Sequence, residues 1–161
     1  MRTLIVGLGN PILGDDGVGW HVAEHVKSQL HNELRIESIE VEVDCLAVGG
    51  LSLMERLVGY DLAILIDAFN SGAYPEGAIL CFALEELHSG AGMHLSSAHD
   101  TTLQTALKVG RSMGAALPER ITVVAIEANS VYDFSEELTP PLAAAVPRAV
   151  QQVIQLLQPA R

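Results

Sequence analysis

Two adjacent aspartates, Asp15 and Asp16, follow a glycine-spaced turn near the start of the chain. A third, Asp67, lies near the end of its most apolar run, and His99 stands just before a helical periodicity. Carboxylate oxygens and a neutral imidazole can bind a divalent cation or move a proton, so these residues are the candidates for chemistry. Each has a plainer use to set beside that one. An aspartate can cap a helix by accepting a hydrogen bond from its first amides, and a cap needs only one of the pair, so Asp15 is expected to be structural and Asp16 functional. Asp67 can instead end its strand by bonding amides of the next turn, Asn70-Ser71-Gly72. A helix N-terminus disfavours imidazolium, which would keep His99 neutral with a lone pair to donate. His88 and His94, in the polar stretch before it, lack that anchor. His21 and His25 have a ligand-like spacing of one helical turn, but they flank an apolar stripe beside Glu24 and Ser28 and read as a solvated helix edge.

These side chains depend on the elements that carry them. Leu4-Ile5-Val6 is too short for a helix and stops at Gly7-Leu8-Gly9-Asn10, after which Asp15 and Asp16 open a new periodicity: strand, loop, helix. In an open α/β sheet the loop leaving such a strand lies over the ligand crevice. Gly7 and Gly9 look like a dinucleotide fingerprint, yet the third glycine would fall at Ile12, and two aspartates repel phosphate. The loop therefore reads as an acidic site. The helix is predicted over 16–30, with Val18, Val22, Ala23, Val26 and Leu30 toward the sheet. Strict alternation over 39–44 predicts an edge strand, and Gly49-Gly50 introduces a short helix with Leu51, Met54, Leu57 and Val58 inward. The unbroken apolar run at 61–69 predicts a central parallel strand. If the first strand is its neighbour, Asp67 meets the loop carrying Asp16 where the strand order reverses. The stretch 70–77 is too short for a crossover helix, so the strand at 78–83 should run antiparallel. A long irregular loop is expected over 84–98, then a helix over 100–114 with Leu103, Ala106, Leu107 and Met113 inward. Residues 121–127 read as another central strand. Thr139-Pro140 opens a last helix with Leu142, Val146, Val150, Val153, Ile154 and Leu157 inward, kinked or divided at Pro147. The sum is an α/β fold of three layers, α/β/α, around a mostly parallel, five-stranded twisted sheet with one antiparallel strand.

A chain of 161 residues, 49% of them hydrophobic, suits one domain over 1–161. Its net charge of −11 opposes binding to nucleic acid or to an anionic membrane surface. Cys45 and Cys81 show no ligand spacing and read as reduced core thiols. No apolar stretch has the length of a membrane span or the flanks of a signal peptide, which points to a soluble, cytoplasmic protein.

The sequence resembles the hydrogenase maturation endopeptidases, which trim the C-terminal extension of the large subunit of nickel-iron hydrogenases. The resemblance lies in Gly7-Leu8-Gly9-Asn10 with Asp15-Asp16-Gly17-Val18-Gly19, then Ile66-Asp67-Ala68, Ser97-Ala98-His99-Asp100 and Ile126-Glu127. It extends over nearly the whole chain, although the family often has proline where this chain has Ala128. The resemblance implies that Asp16, Asp67 and His99 form the metal-contacting and catalytic site, with His94 the alternative histidine. It also implies that the nickel arrives on the substrate, bound to thiolates of the large-subunit precursor, rather than residing permanently in the peptidase. A monomer is expected. Val6-Gly7-Leu8-Gly9-Asn10-Pro11 also looks like the opening of the peptidyl-tRNA hydrolases, but the tyrosine and the histidine-asparagine pair of that family do not follow. A non-catalytic nucleotide-binding module is the remaining alternative, and the missing third glycine counts against it.

Overall fold

Apolar runs that leave no polar face for water must be covered on both sides, and the three such runs become the inner strands β1 (Arg2–Leu8), β3 (Leu62–Phe69) and β5 (Arg120–Glu127). The outer strands are the alternating β2 (Glu40–Leu46) and the short β4 (Ile79–Ala83). The sheet order is β2-β1-β3-β5-β4, parallel except for β4 against β5. The computed structural model describes residues 1–32, 39–88, 99–129 and 133–158.

Four helices cover the sheet: α1 (Val18–Asn32), α2 (Gly50–Leu57), α3 (His99–Ser112) and α4 (Pro140–Leu157). On one face Val18, Val22 and Val26 of α1 and Leu142, Val146, Val150 and Val153 of α4 pack on Ile5, Ile64, Ile66 and Ile126. On the other, Leu53, Met54 and Leu57 of α2 and Leu103 and Leu107 of α3 pack on Leu4, Val6, Leu65, Phe69 and Val123. This is the three-layer arrangement expected. Because α1 and α2 lie on opposite faces, the chain leaves β1 in one direction for β2 and returns past it to β3. That reversal creates a crevice between β1 and β3 at their carboxyl ends.

Several details differ from expectation. Leu51 and Val58 are exposed while Leu53 faces the core, and Met113 is exposed beyond the end of α3. In each case an apolar residue at a helix terminus lies past the last turn that touches the sheet. Helix α4 is not divided at Pro147. Proline there removes one bond to the Ala143 carbonyl, but both residues are on the exposed face, where water can take the carbonyl. The first part of the expected loop, Leu84–His88, is a 3-10 turn, and residues 89–98, with His94, lie outside the described residues.

Cys81 is exposed, not a core thiol, because β4 is an edge strand, while Cys45 is half-buried. Four strand spacings separate β2 from β4, about 19 Å, far beyond the ~7 Å limit for a disulfide. Burial pushes the Cys45 thiol up to about 11, and burial with the nearby Glu86 charge raises that of Cys81. Neither thiol is a ready nucleophile at neutral pH. Among the described residues, no helix is long and apolar enough to cross a membrane.

Candidate functional site

Strand β1 ends in a turn that folds straight back on itself. Gly9 takes φ 116°, and a Cβ there would lie 2.0 Å from the Asp16 carbonyl oxygen, so only glycine lets the turn close. The Leu13 amide bonds the Asn10 carbonyl at 3.1 Å, and Gly14–Gly17 forms one 3-10 turn that runs into α1. Asp15 and Asp16 sit side by side on this turn and point to different jobs.

The Asp15 carboxylate is fully buried. It accepts the Thr139 N–H at 2.8 Å and the Thr139 Oγ1–H at 2.7 Å. Asp15 is thus structural, as expected, but it does not cap the helix that follows it. It satisfies Thr139, the residue just before α4, 124 positions away. Two backbone bonds reinforce the link, Gly14 N–H to Ser135 O at 2.7 Å and Ser135 N–H to Ile12 O at 3.0 Å. Thr139→Val keeps the shape and the backbone donor but leaves one oxygen of a buried carboxylate without its hydroxyl partner. The expected loss is about 1–3 kcal/mol, read from urea unfolding, and Thr139→Ser should restore most of it.

Asp16 is half-buried. One of its carboxylate oxygens accepts the Asn10 N–H at 2.8 Å, which turns the side chain toward the end of β1. Asp67 is 3% exposed. On β3 it alternates with Leu65 and Phe69, so it belongs to the face covered by α2 and α3. The two acids are brought to the same edge of the sheet, because β1 and β3 are parallel neighbours with Gly7 opposite Ile66, and the 3-10 turn packs against β3.

The length and direction of α3 carry the backbone of His99 toward that edge. Helix α3 must deliver the chain to the amino end of β5, where the Glu119 N–H bonds the Asp61 carbonyl at 3.1 Å. Its 14 residues span about 21 Å, close to the length of an eight-residue strand, so its N-terminus returns to the carboxyl edge. The His99 side chain lies outside what the structure describes. Among the described residues no three His, Cys, Asp or Glu side chains form a group able to hold a metal ion.

Glu127 bonds the amides that follow β3. Glu127, fully buried at the end of β5, accepts Ser71 N–H at 3.0 Å, Ser71 Oγ–H at 2.8 Å and Gly72 N–H at 2.9 Å. The sequence holds one hint of this, an acid closing an otherwise apolar inner strand. His25 bonds its own helix, its Nδ1–H donating to the His21 carbonyl at 2.7 Å, as a solvated edge would.

The family profile described as hydrogenase maturation protease matches residues 20–156. The chain belongs to that family. A hydrogenase maturation protease is a peptidase, so the chain is an enzyme of the hydrolase class. It is similar to the hydrogenase expression/formation protein HupD of Rhizobium leguminosarum bv. viciae, 26% identical over 159 residues, which cover 98% of this chain and 74% of HupD. Among solved structures it resembles the hydrogenase maturating endopeptidase HybD of Escherichia coli, with TM-score 0.77, 24% identity, and 98% of this chain and 92% of HybD covered. It also resembles the NiFe hydrogenase maturation protease HybD of Thermococcus kodakarensis, with TM-score 0.72, 26% identity, and 98% and 100% covered. In this hydrogenase maturation protease the glycine turn is closed by Asp16 rather than opened for a phosphate, which also disfavours a nucleotide-binding role.

Proposed function

We propose that the protein removes the C-terminal extension of a nickel-iron hydrogenase large-subunit precursor after nickel has been inserted, acting in the cytoplasm as a monomer. Asp16, Asp67 and His99 meet the nickel that the precursor carries. The observation that supports this most is the pair of carboxylates at one carboxyl-edge crevice between β1 and β3, Asp67 at only 3% exposure. Carboxylate oxygens gathered at one crevice are suitable donors for a divalent cation.

Two carboxylates and a neutral imidazole suit Ni²⁺, and three protein donors leave coordination positions for the thiolates of the precursor. The complete shell then exists only in the complex, which lets the peptidase distinguish a loaded precursor from an empty one. The metal so held positions the scissile peptide and polarises its carbonyl or a water. The test is to incubate the purified protein with its cognate precursor, with and without inserted nickel, and follow loss of the extension by mass. Cleavage of the nickel-loaded form alone is expected. Equal cleavage of the nickel-free form overturns recognition through the metal.

A further inference from the structure

The carboxyl-end loops carry an apolar feature that neither core uses. Leu13 and Ser135 form an isolated parallel bridge, flanked by the two backbone bonds to Gly14 and Ile12. That register sets Ile12 beside Phe134, on the side opposite to Leu13 and Ser135. Phe134 is 85% exposed and Ile12 47%. The backbone pairing holds them in this position, so their exposure is not that of a frayed end. Asp133, Glu136 and Glu137, all exposed, lie within three positions of Phe134 in the chain, and neither 3–26 nor 121–147 contains a Lys or Arg.

We propose that Ile12 and Phe134 form a docking knob for the hydrogenase precursor, gripping an apolar socket edged by lysine or arginine near the segment to be cut. The proposal rests on the reading that such a precursor is the substrate. The knob is continuous with the candidate site: Ile12 lies within the turn from Asn10 to Asp16, and the Asn10 N–H bonds the Asp16 carboxylate at 2.8 Å. A partner seated on Ile12 is therefore fixed in distance from Asp16. The acidic collar selects a basic rim and steers its approach. It also disfavours a second copy of this chain, whose net charge of −11 would place like charge against like. A large aromatic in such a collar has the form of an interface anchor, where a few residues carry most of the binding.

The experiment compares cleavage of nickel-loaded precursor by the wild-type protein, Phe134→Ala and the double variant Glu136→Lys, Glu137→Lys. An exposed side chain should leave the thermal midpoint of Phe134→Ala unchanged. Its KM is expected to rise at least about tenfold, with kcat falling far less. The wild-type KM should rise with salt, and charge reversal should raise KM at low salt and remove that dependence. A wild-type KM for Phe134→Ala overturns the docking knob while leaving the cleavage reading intact. An inert wild-type protein overturns that reading and the docking with it. A concentration-dependent dimer that Phe134→Ala dissolves overturns the proposal in favour of self-association.

Discussion

Asp16→Asn, Asp67→Asn and His99→Ala are each expected to cut cleavage of the nickel-loaded precursor by about a thousandfold or more, while circular dichroism and thermal midpoint show a folded protein. The asparagine variants keep the shape of the side chain and remove only the charge and one acceptor oxygen. In Asp67, on β3 between Leu65 and Phe69, the amide fits where the acid did. A fall in activity without unfolding therefore reports lost charge rather than lost packing. Asp16 separates two roles in the same way. Asparagine at this position still offers an oxygen to the Asn10 N–H that Asp16 accepts at 2.8 Å, so the turn should hold while the carboxylate ligand is lost. Under the proposed function the three residues share one ion and act as a unit, so pairwise combinations should be no worse than single variants. Full activity of Asp67→Asn would remove it from the site. Full activity of His99→Ala would move the imidazole role to His94.

The layers were legible because burial on two faces and on one face write different patterns. Unbroken runs became β1, β3 and β5, and the alternating run at Glu40–Leu46 became the edge strand β2. The antiparallel β4 followed from chain length alone, since the preceding loop is too short for a crossover. The same logic predicts that the loop carrying Asp16 and the end of the strand carrying Asp67 lie at the same edge of the sheet. Pairings between distant segments were not legible. Nothing near Asp15 signals that Thr139 will donate two hydrogen bonds to it, and nothing near Ser71 signals the buried Glu127. Each of those acids answers a need that exists only once the sheet has brought two loop ends together. The ends of helices were misjudged for a related reason. Whether Leu51 or Leu53 faces inward depends on where α2 first touches the sheet, which local periodicity does not fix.

Gly19→Ala is expected to damage both fold and activity, although alanine is the better helix former. A Cβ at position 19 would stand 2.4 Å from the Ile66 carbonyl oxygen, 2.5 Å from that of Leu8 and 3.0 Å from the Leu8 nitrogen. All three are backbone atoms of the two inner strands that flank the crevice, so no side chain can turn aside. Helix α1 must lift away from β1 and β3 instead. Overpacking of this kind costs about 1–3 kcal/mol or more, against a gain of about 1 kcal/mol from helix propensity. The displacement passes directly to Asp16, which precedes Gly19 on the same rigid turn and start of helix. A misplacement near 1 Å can cost about a hundredfold in rate, so activity should fall by more than the loss of folded protein explains. Gly110→Ala in α3 is the control. Its Cβ would meet Leu117 Cδ1 and Met54 Sδ, each at 3.0 Å. Both are ends of flexible side chains that can yield, so stability should change little and cleavage should persist. Urea unfolding and cleavage of the nickel-loaded precursor by both variants test the contrast, and equal behaviour of the two would show that close approach at Gly19 does not hold the crevice together.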